Sequence, residues 1–143
     1  MNSSQRACIV LLDDDPDEHF LFQADLEDAG LIFDFQAFTR AEDALGHLQE
    51  QAYPAVLVLT DLGLAGCDAV DFIRQARAHV GMGGVGVYSG AKSADREEEC
   101  RKAGASFYLV KPASLPKLVD AVEELEGLFT RKGEDGRLEL VHA

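Results

Sequence analysis

Val56-Leu57-Val58-Leu59-Thr60-Asp61 is a short apolar run that stops on a carboxylate. Leucine and β-branched residues in an unbroken stretch of this length read as a strand buried on both faces. In an open parallel sheet, ligands bind in the crevice at the carboxyl ends of the strands, so such a strand delivers Asp61 to a functional position. An aspartate that merely caps a loop after a core strand would have the same local text. The rest of the chain decides between the two.

The pattern recurs outward from this point. Ala7 to Leu12 is a second apolar run, and it ends on Asp13, Asp14 and Asp15, followed by Pro16. From Asp17 to Ala29 the period turns helical, with Phe22, Leu26 and Ala29 on one face and Leu21 beside them. Asp15 as cap, Pro16 in the first turn and Glu18 three residues after the cap form a helix start, and Gly30 forms a stop. Ile32 to Phe38 predicts a second strand, with Phe33 and Phe35 alternating with Asp34 and Gln36. Thr39 and Glu42 suggest a capping box for a helix that turns Ala44, Leu45 and Leu48 inward and ends before Pro54.

After Asp61, a loop with Gly63 and Gly66 leads to a helix over Asp68 to Ala78, with Val70, Ile73 and Ala76 at helical spacing. Gly81-Met82-Gly83-Gly84 predicts a flexible connection. Val85 to Tyr88 follows as a strand ending on Ser89-Gly90. The helix over Ser93 to Ala103 is so rich in charge that only Ala94, Cys100 and Ala103 remain for a buried face, which predicts a weakly anchored element. Phe107 to Val110 is a fifth strand with Lys111-Pro112 at its carboxyl end. Ser114 then caps a helix expected to reach Phe129, with Leu118, Val122, Leu125 and Phe129 on one stripe and Leu115, Val119 and Leu128 widening it.

Alternating strands and helices joined by short loops predict an α/β fold, a doubly wound five-stranded parallel sheet in the flavodoxin-like order 2-1-3-4-5. The expected domain covers residues 6–129. The tail over 130–143 could be a hairpin, a dimer contact or disordered. With 143 residues, 47% hydrophobic and 27% charged, the chain suits one globular domain. A formal charge of -13 repels phosphate backbones and anionic lipid, which argues against nucleic acid or membrane as partner. Cys8, Cys67 and Cys100 have no metal-ligand spacing and read as reduced, buried small hydrophobes. With no apolar leader or membrane-length run, the expected location is cytoplasmic.

In that strand order the switch point lies between strands 1 and 3, so Asp13, Asp14 and Asp61 converge on one crevice, with Ser89 and Lys111 joining from strands 4 and 5. Three close carboxylates repel one another unless a cation joins them, and Mg2+ prefers one or two carboxylates, waters and a phosphoryl oxygen. A carboxylate beside that ion can attack an activated phosphoryl group to form an aspartyl phosphate. Lys111 and the Ser89 hydroxyl would neutralise and hold the transferred oxygens.

The motifs LeuLeuAspAspAspPro (11–16), LeuThrAspLeuGlyLeuAlaGlyCysAsp (59–68), TyrSerGly (88–90) and LeuValLysPro (109–112) resemble the receiver (response regulator) domains of two-component signalling. The resemblance implies Asp61 as phospho-acceptor, Asp14 as direct Mg2+ ligand and Asp13 as outer acidic partner. It also implies the backbone carbonyl of Gly63 as a further metal ligand, Ser89 and Tyr108 as switch residues, Lys111 as phosphoryl clamp, and a cis peptide before Pro112. Ala65 stands where the family usually has proline, and Ala69 where it often has glycine. The segment HisPheLeuPheGlnAlaAspLeu (19–26) is similar to stand-alone regulators paired with bacterial phytochrome kinases. Expected partners are a histidine kinase or phosphotransfer protein, a downstream protein target reached because no output domain follows, and a homodimer as a further option. No turnover enzyme is expected beyond self-phosphorylation and autodephosphorylation. Two alternatives stay open: a pseudo-receiver that only binds, and a haloacid-dehalogenase-like phosphatase with Asp13 as nucleophile. His19, His47, His79 and His142 have no catalytic spacing and are given no role.

Overall fold

The computed structural model describes residues 5–64, 66, 68–91 and 93–143. Ala65 and Cys67, both read in the sequence, lie outside the described residues. The elements in chain order are β1 (Cys8–Leu12), α1 (Pro16–Asp28), β2 (Leu31–Ile32), β3 (Asp34–Phe38), α2 (Ala41–Gln51), β4 (Leu57–Thr60), α3 (Ala69–Ala76), β5 (Gly84–Ser89), α4 (Ala94–Ala103), β6 (Tyr108–Val110), α5 (Leu115–Glu123), β7 (Leu128–Lys132) and β8 (Leu138–His142). A five-stranded sheet has the order β3-β1-β4-β5-β6, and every pairing in it is parallel. That is the expected doubly wound order, once β3 is taken as the second strand.

Strand alternation divides the core into two layers. Ile9, Leu11, Leu57 and Leu59 pack with Phe22 and Leu26 of α1 and Leu118, Ala121 and Val122 of α5. Val10, Leu12, Val56, Val58, Val85 and Val87 face the other way, against Ala44 and Leu48 of α2, Val70 and Ile73 of α3, and Cys100 of α4. The strands read as continuous apolar runs because both faces are covered. β5 is the exception: on the α5 side it carries Gly84 and Gly86. A Cβ on Gly86 would lie 2.3 Å from the Phe107 ring, so that ring supplies the apolar filling which the strand itself lacks.

Several expectations need correction. The predicted strand over Ile32 to Phe38 is broken at Phe33: β3 pairs with β1, while β2 leaves to pair in parallel with β8, Leu31 opposite Leu138. The last helix stops at Glu123 instead of Phe129. Gly127 donates its N–H to the Met82 carbonyl at 2.8 Å, and a Cβ there would lie 2.3 Å from Met82 Cβ, so the chain is pulled out of helical geometry against the sheet. Leu128 and Phe129 therefore belong to β7, which pairs antiparallel with β8. The resulting three-stranded sheet, β2-β8-β7, packs Leu128 and Leu140 into the α1/α5 layer.

The Gly81 to Gly84 stretch is sealed rather than open. Gly81 bridges Ala55, Met82 N–H donates to the Pro54 carbonyl at 2.9 Å, and Gly84 N–H donates to Val56 at 3.1 Å. Thr39 does not cap α2. Arg40 occupies the cap position without a side-chain hydrogen bond, and Glu42 pairs with the Arg40 guanidinium instead. On α1, Phe22 and Leu26 are buried as expected, but Leu21 is 48% exposed and Ala29 is exposed too. Helix α4 matches its weak reading in that Cys100 and Ala103 are its buried residues; Ala94 is exposed. Cys8 and Cys100 are buried free thiols, and desolvation pushes Cys8 up to about 11, which leaves it inert. Among the described residues no helix is long and apolar enough to cross a membrane.

Candidate functional site

Backbone ladders continue one residue past the strands and fix the site. Asp13 N–H donates to the Phe38 carbonyl at 3.0 Å, Asp61 N–H to Leu12 at 2.9 Å, and Lys111 N–H to Ser89 at 2.8 Å. The acids and the lysine are thus held by the sheet itself, which positions them more tightly than free loops would. Lys111 precedes Pro112 across a cis peptide, as expected.

Asp13, Asp14 and Asp61 come together: each offers a carboxylate oxygen, and these oxygens all lie within 4.8 Å of one another. Their environments differ sharply. Asp13 is only 1% exposed, and both of its oxygens are engaged. Oδ1 accepts the Asp15 N–H at 3.0 Å, and Oδ2 accepts from Lys111 Nζ at 2.8 Å. Asp14 is exposed. Asp61 accepts the Gly63 N–H on Oδ2 at 3.2 Å, and its Oδ1 stands 3.6 Å from Lys111 Nζ. Gly63 meets the site here through its amide, and a Cβ at that position would lie 3.3 Å from Asp61 Oδ2.

Lys111 is the cation of this cluster. Burial pulls its ammonium down, but the hydrogen bond to Asp13 and the charges of Asp61, Asp13 and Glu18 outweigh that, so it titrates above the ordinary lysine value. It also lies 5.5 Å from the centroid of the Tyr88 ring, which is buried beside Phe22. Desolvation first, and then the charge of Glu18, push the Tyr88 phenol up to about 12.

Two neighbours were not read as site residues in the sequence. Glu18 Oε1 lies 3.5 Å from Lys111 Nζ. His19 Nε2 is 2.7 Å from the Asp13 carbonyl, which can only accept, so this ring nitrogen carries the proton. Both sit in the first turns of α1, directly after the acidic loop. That adjacency was the available signal, but Glu18 was accounted for as a helix cap.

Ser89 ends β5 next to Lys111. The Tyr108 hydroxyl donates to the Ala91 carbonyl at 2.7 Å, so this ring lies along the loop that leads to α4 rather than turned inward. Burial pushes the Tyr108 phenol up, and the neighbouring Ser89 side chain opposes this. The phosphatase alternative needs Asp13 as nucleophile, yet this carboxylate is buried with both oxygens occupied. Asp61 Oδ1 instead faces the lysine at 3.6 Å, beyond hydrogen-bond distance.

The response regulator receiver domain family matches residues 9–123. The chain belongs to this family. A segment of the sensory/regulatory protein RpfC of Xanthomonas campestris pv. campestris is 30% identical over 121 residues, covering 82% of this receiver chain but only 16% of that relative. Among solved structures, the chemotaxis protein CheY4 of Vibrio cholerae superposes with a TM-score of 0.70 at 18% identity, covering 85% of this receiver and 99% of CheY4. A response regulator of Burkholderia pseudomallei, solved with a phosphorylated aspartic acid, calcium ion and citrate, gives a TM-score of 0.68 at 20% identity, covering 80% of this receiver and 65% of that chain. At these identities the structural likeness speaks for the fold, and the receiver assignment rests on the family match.

Proposed function

We propose that this receiver accepts a phosphoryl group on Asp61 from a histidine kinase or phosphotransfer protein and signals through protein contacts. The observation that carries the reading is the asymmetry of two aspartates: Asp13 accepts a hydrogen bond on each oxygen, whereas Asp61 Oδ1 faces Lys111 at 3.6 Å from the end of the central strand. The phosphorylated aspartate of the Burkholderia neighbour supports it.

The donor set is all oxygen and carries more negative charge than one ammonium offsets, which fits a hard divalent ion such as Mg2+. Asp14 and Asp61 would hold that ion, with the Gly63 carbonyl as a further ligand and Asp13 as an outer partner. When bound it would neutralise charge on the transferring group. An Asp61 oxygen forms the new bond to phosphorus as the bond from phosphorus to the donor's nitrogen breaks, and the electron pair leaves with that nitrogen. Lys111, steadied by Asp13, holds a phosphoryl oxygen. The Ser89 hydroxyl holds another, and that draws it away from Tyr108. That movement beside Tyr108 loosens its bond to Ala91 and, with it, the lightly anchored α4.

The test is incubation with acetyl phosphate and Mg2+, read by intact mass. One acid-stable, base-labile phosphoryl group on Asp61 is expected, and none on Asp61→Asn. Labelling that survives in Asp61→Asn, or steady turnover of phosphomonoesters, would remove the reading.

A further inference from the structure

Glu18 is the third residue of α1, where an acidic side chain ordinarily turns back to the amide of the capping residue. Here that amide is already taken, because Asp15 N–H donates to Asp13 Oδ1 at 3.0 Å. Glu18 points instead to Lys111, 3.5 Å away, where the lysine and glutamate side chains are 18% and 28% exposed. The ammonium thus has three carboxylates around it, at 2.8 Å (Asp13), 3.5 Å (Glu18) and 3.6 Å (Asp61). Glu18 and Asp61 stand at nearly equal distance and compete for the protons that Asp13 does not use.

We propose that Glu18 is a positioning residue that restrains Lys111 and sets how readily it transfers to a phosphoryl group on Asp61. This rests on the receiver reading above. In the resting state Glu18 shares the ammonium and adds negative field to the acidic cluster, which favours a divalent cation. Once Asp61 carries a phosphoryl group, the same carboxylate competes with it for Lys111 and repels it. The residue therefore acts in opposite directions on the two ligands of one site, and loss of local structure would not do that.

The experiment uses the full chain with two ligands: Mg2+ alone, followed by amide NMR shifts, and beryllofluoride at saturating Mg2+, followed by fluorine NMR. For a partly shielded ion pair, Glu18→Gln is expected to weaken Mg2+ about twofold and to tighten beryllofluoride about three- to fivefold. Glu18→Asp, with a shorter arm, should fall between Glu18→Gln and wild type. Asp17→Asn removes the same charge from an exposed neighbour and should leave beryllofluoride affinity within about twofold. The proposal is overturned if both affinities of Glu18→Gln fall together, if neither moves, or if Asp17→Asn matches the gain. Wild type that takes up no beryllofluoride would overturn the phospho-acceptor reading of Asp61 as well, which separates the two failures.

Discussion

The two ends of the five-stranded sheet treat charge in opposite ways. At the carboxyl ends, Asp13, Asp61 and Glu18 surround the Lys111 ammonium and Asp14 adjoins the two aspartates, so acidic groups outnumber that cation among the described residues. At the amino ends, the β7/β8 hairpin buries Leu128 and Leu140, and its central acid, Glu139, lies between Arg131 at 2.7 Å and Arg6 at 3.0 Å. One end is compensated and packed for stability; the other keeps excess negative charge that a cation or phosphoryl transfer can use. Binding chemistry is located where the folded chain leaves its electrostatics unfinished.

Three perturbations sharpen or break this contrast, the largest at the packed end. Leu140→Ala empties a fully buried position and should cost about 2–5 kcal/mol by denaturant unfolding, while Mg2+ affinity stays near wild type. A small loss of stability, or a large loss of Mg2+ affinity, would show that the hairpin is not a separate stabilising element. Asp14→Asn should do the reverse in metal-free buffer, raising the thermal midpoint by about 2 °C because one of three crowded charges is gone. The stabilisation that Mg2+ gives wild type should disappear in the same variant. A lower midpoint without metal would contradict the idea of residual repulsion.

The smallest effect is at Glu139. Its hydrogen bonds to Arg131 and then Arg6 hold its carboxyl below the ordinary value of 4.5. A folded value below the unfolded one means that the stabilisation is present above pH 4.5 and fades as pH falls through the folded value. Wild type and Glu139→Gln should therefore differ slightly at pH 7 and converge in acid. A gap that persists unchanged to the lowest pH at which the fold survives would assign it to packing rather than charge.

Legibility in the sequence followed the range of the interactions. Asp61, Asp13 and Lys111 were readable because each follows an apolar run, and a parallel sheet collects strand ends whatever the details. The N-terminal cap of α1 was readable for the same local reason: Asp15 accepts from Asp17 two residues on. The length of the last helix was not, because its period extends through Phe129, and the Met82 contact that turns Gly127 lies 45 residues away in sequence. β2 was missed because its partner is β8, beyond the last helix. Glu18 was misassigned because its place three residues after Asp15 suits a cap, while its actual partner, Lys111, follows a strand far along the chain.

By itself, the sequence determined the alternating buried strands, the acids and lysine at their ends, and the sparse apolar face of α4. These depend on residue type and spacing over a few positions. Only the tertiary structure decided that Asp13 holds Lys111, that Tyr108 rests on Ala91, that Glu18 shares Lys111, and that β8 pairs with β2. Each of these is a competition between partners distant in the chain for one donor or one surface, and its outcome exists only once they are brought together.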